Sequence, residues 1–159
     1  MDTITIDDTL RSSSFTAGLG RSEHRRLAAL ATRRTFAPGE VVLREGDETP
    51  FLGIVASGRL GLRLLVPDRG PITILTVEPG DVFGWSAVVP PYRSSSTAVA
   101  VEPTEAICFE AAVLRDALER DDDLAAAIHP RLLKLVARRL DATRLQLLDL
   151  FGSTGERAW

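Results

Sequence analysis

Residues 38–60 read PGEVVLREGDETPFLGIVASGRL and set the pattern for the centre of the chain. Two apolar runs, VVLR and FLGIVA, are bounded by the glycine-containing segments PGE, EGD and SG. Each run has the length of a β-strand, and each break contains residues that favour turns. The stretch therefore predicts short strands joined by tight turns.

The same punctuation continues on both sides, from Arg33 to Glu110. Further apolar runs are RLGLRLLV, ITILTV, STAVAV and AICF, and the breaks between them include DRGP, PGD and VEP. Turns at intervals of about 8 to 12 residues are typical of a sandwich or barrel of short strands. We expect an antiparallel, mainly β body with helices at both ends.

The N-terminal flank lacks strand or helix periodicity over a useful length. Residues 1–21 are rich in Ser, Thr, Asp and Gly, and we predict a flexible arm there. A short amphipathic helix follows, with Ser22 as its N-cap. His24 in that helix is interpreted as a solvated polar residue, because no second histidine lies at metal-ligand spacing.

The C-terminal flank has helical character. Residues 111–120 carry apolar residues at helical spacing, and the acidic run 121–123 is placed to cap a further helix. Because Pro130 cannot donate a helical hydrogen bond, we expect a boundary or kink near His129. Residues 151–159 are predicted to form a C-terminal tail.

The last helix shows a heptad pattern, which predicts a homodimer. Its second apolar row, with Leu132, Leu135 and the stem of Arg139, would face the β body. The alternative is a helix packed only on its own domain. The predicted dimer seam consists of Leu133, Val136, Leu140, Thr143, Leu147 and Leu150.

Composition argues against several function classes. The net charge of -3 argues against a broadly basic surface for nucleic acid, and no apolar run is long enough to span a membrane. Cys108 is the only cysteine and sits in an apolar run, so it is interpreted as a core residue. Without a signal peptide or a disulfide pair, the predicted compartment is the cytoplasm. No catalytic motif, metal site or cofactor is predicted.

Residues 80–101, GDVFGWSAVVPPYRSSSTAVAV, contain the candidate binding site. They read as a strand, a tight turn at Gly84, a short helix, a Pro-Pro stop and a run of hydroxyls beside Arg93. Backbone amides at the start of a helix favour negative charge. The stretch therefore predicts a site for a small anion.

The glycine pattern of residues 38–60, PGDVFG at 79–84 and ARRLDATR at 137–144 together resemble the cyclic-nucleotide-binding domain of the catabolite activator and kinase regulatory-subunit superfamily. The resemblance covers roughly residues 22–150. It implies a jelly-roll-like β-roll of eight strands with an N-terminal helix and C-terminal helices. It also implies a regulatory protein whose candidate ligand is a cyclic nucleotide such as cyclic AMP.

In that family the phosphate-binding cassette begins with Gly-Glu and ends with Arg-Ser/Thr-Ala. The glutamate binds the ribose hydroxyl and the arginine binds the cyclic phosphate, but here Trp85 and Ser96 stand at those positions. Because charge-assisted hydrogen bonds contribute about 1.5 to 3 kcal/mol each, losing both lowers the expected affinity by roughly two to four powers of ten.

Other residues are candidates to replace the missing ligands. Arg93 lies near the position of the arginine, Trp85 is interpreted as a wall of the pocket, and the resemblance implies that Thr143 contacts the base. The predicted ligand-binding residues are Phe83, Gly84, Trp85, Ser86, Ala87, Arg93, Ser96, Thr97, Ala98 and Thr143.

Two hypotheses follow. The first is a ligand-sensing domain for a cyclic nucleotide or another small anion. The second is a degenerate family member whose pocket is filled by Trp85 and which serves as a dimeric protein-interaction module. Because the sequence after Leu150 is too short for a helix-turn-helix, either is expected to act through a protein partner and not through direct contact with nucleic acid.

Overall fold

The computed structural model describes residues 4–155, with side chains through residue 150. Within this range there are four α-helices, eight β-strands and one 3₁₀ turn. The helices are α1 (Ile6–Ser12), α2 (Arg21–Ala29), α3 (Ala111–Arg120) and α4 (Asp122–Gly155). The strands are β1 (Thr32–Phe36), β2 (Val41–Leu43), β3 (Phe51–Ser57), β4 (Leu60–Val66), β5 (Gly70–Val77), β6 (Val82–Phe83), β7 (Thr97–Ala100) and β8 (Thr104–Glu110).

The strands form two antiparallel sheets of four. One sheet has the order β1-β8-β3-β6 and the other has the order β2-β7-β4-β5. All six apolar runs identified in the sequence are strands, and the eight-stranded β-roll is confirmed. Two strands lie outside those runs: β1, of which only Phe36 is buried, and the two-residue β6.

The central strand β3 is buried on both faces, which explains its continuous apolar sequence. Phe51 and Val55 point into the core between the two sheets. Leu52 and Ile54 belong to a second core, formed where the helices pack on the outside of the sheet. Successive side chains of a strand point to opposite faces, so one strand supplies both cores.

The prediction of a flexible arm is wrong for the described part of residues 1–21. Thr5 caps α1: its hydroxyl accepts from the Asp8 amide at 3.0 Å, and the Asp8 carboxylate accepts from the Thr5 amide at 3.2 Å. Leu10 is completely buried in the helical core, and the Ser13 hydroxyl donates to the Gly80 carbonyl at 2.6 Å. Capping and burial together fix the segment. Residues 1–3 lie outside the described range.

Two details of α2 differ from the prediction. The helix begins at Arg21 with Gly20 at the N-cap position, so Ser22 is not the cap. His24 is hydrogen bonded to Asp7 of α1, and only 15% of its side chain is exposed. This contact joins α1 to α2, so the interpretation of His24 as a solvated residue is also wrong.

The C-terminal helices agree with the predicted helix and cap of residues 111–123 and differ from the prediction around Pro130. Residues 111–120 form α3, and the Asp121 carboxylate caps α4 by accepting from the Leu124 amide at 3.0 Å. Of the boundary or kink predicted near His129, the boundary is wrong, because α4 continues through Pro130. Ile128 and Leu132, on either side of the proline, are buried. Burial of two such side chains, at about 1.5 to 3 kcal/mol each, offsets the roughly 3 kcal/mol that proline costs inside a helix.

Helix α4 has one face on the β body and another directed outward. Leu132 and Leu135 pack in the helical core as predicted, whereas Leu133 is 72% exposed and Leu140 is 51% exposed. The backbone of α4 extends to Gly155, beyond the predicted end near Leu150, and residues 156–159 of the predicted tail lie outside the described range. No helix within the described range is both long enough and apolar enough to cross a membrane.

Candidate functional site

The helical part of the cassette is a single 3₁₀ turn, Trp85–Ala87, directly after β6. Gly84 precedes it with φ 72°, a left-handed conformation that favours glycine. A Cβ at this position would lie 2.4 Å from the carbonyl oxygen of Phe51. Both the backbone angle and the space therefore require glycine where the chain turns into the site.

Arg115 of α3 holds the cassette from outside. Its guanidinium donates to the Ala87 carbonyl at 2.9 Å and lies 4.4 Å from the ring centre of Tyr92. The first contact is at the end of the 3₁₀ turn and the second is five residues further along the chain. A guanidinium that binds a carbonyl and covers an aromatic ring restrains both points at once.

The hydroxyl run after Arg93 is partly structural. Ser94 is buried, and its hydroxyl lies 2.7 Å from that of Thr49. The Gly46 amide donates to the Ser94 carbonyl at 2.8 Å, and the Ser94 amide donates to the Asp47 carbonyl at 2.9 Å. This pairing fixes the second half of the cassette against residues 46–49.

A small cavity of about 20 Å³ lies between the two halves of the cassette. A space of this size holds about one water molecule. Five of the predicted ligand-binding residues line it, and Trp85 also packs against the helical core as a wall. The lining residues are Leu43, Leu62, Phe83, Gly84, Trp85, Ser86, Ser94, Ser95, Ser96 and Arg139.

Arg139 of α4 is a charged residue of this cavity that the sequence analysis did not include among the ligand-binding residues. Its guanidinium donates to the Val82 carbonyl at 2.8 Å. Burial lowers the pKa of this guanidinium, and the nearby Asp81 carboxylate opposes that shift. A partly desolvated cation in a cavity lined by four serines is suited to bind an anion, because its charge is poorly screened by water. The side chain reaches the cavity from α4, where its hydrogen bond to Val82 joins the helix to β6.

The remaining predicted residues lie elsewhere. Arg93 does not line the cavity; its guanidinium donates to the Gly46 carbonyl at 2.9 Å, and its backbone pairs with Glu48. The Thr97 hydroxyl accepts from the Glu45 amide at 3.0 Å. The Thr143 hydroxyl donates to the carbonyl of Arg139 at 2.8 Å, within its own helix. Two alanines complete the set, both completely buried: Ala87 in the helical core and Ala98 between the sheets.

Comparison with known proteins identifies this arrangement. The family profile described as the cyclic nucleotide-binding domain matches residues 33–121, more than half of the chain. The chain belongs to the cyclic nucleotide-binding domain family. The matched range contains every strand except the first residue of β1, together with the whole cassette. The domain is therefore a cyclic nucleotide-binding β-roll, as the glycine pattern and cassette position predicted.

One curated relative of this cyclic nucleotide-binding domain is a regulator. The CRP-like cAMP-activated global transcriptional regulator of Mycobacterium tuberculosis is 27% identical over 145 residues, which cover 91% of this chain. The chain spans 63% of the length of that regulator. Since the 145 matched residues outnumber those of the strand-containing region, residues 32–110, the likeness extends beyond the strands.

Solved structures of the family agree with this topology. The catabolite activator protein of Thermus thermophilus superposes with a TM-score of 0.68 at 28% identity, covering 91% of this chain and 63% of that one. A cyclic nucleotide-binding domain from Methylobacillus flagellatus gives a TM-score of 0.78 at 22% identity, covering 91% and 81%. The second likeness concerns the fold alone.

Within the described residues, no group of three His, Cys, Asp or Glu side chains could hold a metal ion.

Proposed function

We propose that the protein is a regulatory ligand-sensing domain, without enzymatic activity, that binds a small anion at the cassette. The observation that carries the proposal is the convergence of the Arg139 guanidinium, the serine hydroxyls and the backbone after Gly84 on one cavity. A cation and several hydroxyls are the groups that recognise phosphate. The M. tuberculosis relative is named as cAMP-activated, which makes cyclic AMP the first ligand to test.

The proposed role of Arg139 differs from the sequence prediction in a testable way. Calorimetric titration with cyclic AMP and cyclic GMP should show saturable heat. Arg139→Gln should then weaken binding by about tenfold to a hundredfold, the value of one charge-assisted hydrogen bond. Arg93→Gln is the matched control, because it removes the same charge from the cassette at a position outside the cavity. A loss with Arg93→Gln and none with Arg139→Gln would refute the assignment.

The second candidate function is a dimeric interaction module that does not bind cyclic nucleotides. Two observations favour it. The cavity is far smaller than the roughly 300 Å³ of ordinary ligand pockets, and Trp85 occupies part of its wall. The outward leucines Leu133 and Leu140 lie two turns apart on α4, as in a dimer seam. Absence of heat with either nucleotide at millimolar concentration would favour this function over the first.

The homodimer is common to both functions and has its own test. Leu133→Glu with Leu140→Glu should convert a dimer into a monomer in sedimentation velocity, because two leucines that the dimer would bury become charged. Leu145→Glu is the control, since Leu145 is 64% exposed on the same helix but lies off the seam. A double variant that sediments as a dimer would rule out the seam.

A further inference from the structure

A second and much larger cavity is also lined by Arg139. It is a groove of about 560 Å³ between one face of α4, the end of β5 and the turn that leads into β6. This volume is within the range of small-molecule sites, roughly 300 to 1,000 Å³. The groove is separate from the cassette cavity, and Arg139 is the one residue that lines both. We name it the α4 groove.

The α4 groove is positively charged in an otherwise acidic chain. Its lining contains the four cations Arg131, Lys134, Arg138 and Arg139, and a single carboxylate, that of Asp81. The formal surplus is three positive charges, whereas the whole chain carries a net charge of -3. Like charges collected in a concave site raise the local concentration of oppositely charged ligands. The groove is therefore suited to anions.

Two of these cations are fixed by the protein and two are not. Arg131 donates to the Phe15 carbonyl at 3.0 Å and to the Ala17 carbonyl at 2.7 Å, and Arg139 donates to a carbonyl of β6. Lys134 and Arg138 are exposed, and within the described part of the chain neither side chain makes an ion pair or a hydrogen bond. Two cations thus remain available to a ligand at no cost to existing contacts.

The spacing of the cations indicates a ligand with more than one charge. Arg131, Lys134 and Arg138 follow one another at intervals of three and four residues, so they lie on one face of α4. Seven residues of helix span roughly 10 Å. One phosphate cannot reach cations at both ends of this row, whereas linked phosphates can.

The groove also has an apolar wall. Phe15, Leu75 and Leu135 line it together with the cations. Ligand sites commonly combine such surfaces with a few charged groups that fix the orientation of the ligand. A molecule with linked phosphates and an aromatic or apolar part matches both features.

Dimerisation through α4 would leave the groove open. Each of three groove cations lies two positions before a predicted seam residue. Arg131 precedes Leu133, Lys134 precedes Val136 and Arg138 precedes Leu140 in this way. Two positions correspond to roughly 200° around a helix. The groove and the seam are therefore on opposite sides of α4.

We propose that the α4 groove is a second ligand site, which binds a small organic molecule carrying two or more linked phosphates. The cations of α4 bind the phosphates, and the apolar wall contacts the remainder of the molecule. This site is additional to the cassette and does not depend on whether the cassette binds a cyclic nucleotide.

The test uses ATP, inorganic tripolyphosphate and single inorganic phosphate as probes, titrated calorimetrically into the full chain. Saturable binding of ATP with a Kd below about 1 mM is expected, with weaker binding of tripolyphosphate and no saturation by single phosphate. The ATP affinity should fall as salt is raised. Absence of saturable heat with ATP and tripolyphosphate at 5 mM, well above that limit, would overturn the proposal.

A double variant with two reversed charges tests whether ATP binds in the α4 groove. Lys134→Glu with Arg138→Glu should weaken ATP binding at least tenfold, because two cations become anions. Arg21→Glu with Arg25→Glu is the matched control, since these exposed arginines of α2 give the same change in net charge away from the groove. Equal losses in the two variants would show attraction by net charge alone and would overturn the proposal. Circular dichroism checks that both variants fold.

The outcome is distinguishable from failure of the cassette proposal. Neither Lys134 nor Arg138 lines the cassette cavity, so their double variant should bind cyclic AMP as the wild type does. ATP binding that survives the double variant would place ATP elsewhere and refute the α4 groove as its site. A protein that binds ATP but no cyclic nucleotide would refute cyclic nucleotide binding at the cassette and leave the α4 groove unaffected.

Discussion

Gly84 allows the geometry of the cassette to be tested with a single methyl group. Its φ is 72°, and an added Cβ would lie 2.4 Å from the carbonyl oxygen of Phe51 in β3. Gly46 has φ 85°, yet a Cβ there would meet nothing within 4 Å. The two glycines share a left-handed backbone and differ in the space around it. Gly46→Ala is therefore the matched control for Gly84→Ala.

Both substitutions place an L residue in the left-handed region, at a cost of about 1 to 2 kcal/mol. Gly84→Ala must also displace a backbone atom of an interior strand. Because real Cβ atoms essentially never approach closer than 3.0 Å, the 2.4 Å contact requires a shift of at least 0.6 Å, the difference of the two distances. Overpacking of this kind adds about 1 to 3 kcal/mol. We expect a total loss of about 2 to 5 kcal/mol for Gly84→Ala.

Urea unfolding followed by far-ultraviolet circular dichroism measures both free energies of unfolding. The expected difference between the variants, about 1 to 3 kcal/mol, corresponds to roughly 2 to 12 °C in Tm for a domain of this size. Equal destabilisation within about 0.5 kcal/mol would refute the reasoning, because it would mean that the contact with Phe51 relaxes freely.

Three further predictions concern single side chains. Arg115→Ala should lower the free energy of unfolding by about 2 to 3 kcal/mol, since it removes a charge-assisted hydrogen bond and a ring contact of the cassette. Arg120→Ala, on the same helix but 80% exposed, should cost less than about 0.5 kcal/mol, and equal losses would contradict the bracing role. Burial raises the pKa of the Cys108 thiol to about 12, so a thiol reagent should modify it only after unfolding; rapid modification of the native protein would contradict this. Hydrogen bonds from His24, and to a smaller extent from Arg11, hold the pKa of Asp7 below its ordinary value of about 4, so this stabilisation is present above pH 4 and is lost as the pH falls through the lowered pKa. Asp7→Asn should therefore flatten the acid side of the stability curve measured between pH 5 and pH 2, and a curve parallel to that of the wild type would refute the contribution.

The strands that could be predicted from the sequence are those whose burial requires a run of apolar residues. The run FLGIVA forms β3, which is buried on both faces, and its limits are set by turn residues. The strand β1 has the sequence TRRTF and is exposed at four of its five positions. It exists because it pairs with β8, from Thr32 with Cys108 to Phe36 with Thr104. Strand pairing of this kind depends on residues about 70 positions away, so the local sequence contains no pattern that predicts it.

The N-terminal helix was missed for a different reason. Its capping box is formed by Thr5 and Asp8, with aspartate in place of the more usual glutamate or glutamine, and the helix has only seven residues. Its stability comes from the burial of Leu10 and from bonds to distant carbonyls, which no short window of sequence contains. Recognition of the Thr5 capping pattern ahead of Leu10 was the one available signal.

The candidate site also contains residues whose positions follow from the local sequence and residues whose positions do not. The positions of Phe83, Gly84 and Trp85 follow from the local chain, because a strand, a left-handed glycine and one helical turn can be read from neighbouring residues. Arg139 could not be found in that way, since its carbonyl partner in β6 is 57 residues distant in sequence. Arg93 illustrates the opposite case: it is near in sequence, but antiparallel pairing with residues 46–48 draws it away from the cavity.

A ligand in the cassette would affect α4 through the contact between Arg139 and β6. Leu124, Ile128 and Leu132 fix the first three turns in the helical core, and no side chain described after Leu132 in this helix is fully buried. The later turns are held to β6 by the hydrogen bond from Arg139 to the Val82 carbonyl. An anion bound by the other N–H donors of Arg139 would share this guanidinium with the Val82 carbonyl, because an arginine side chain has five such donors. We expect control of helix packing from the cassette to act through this shared side chain, and Arg139→Gln tests the ligand and the helix contact together.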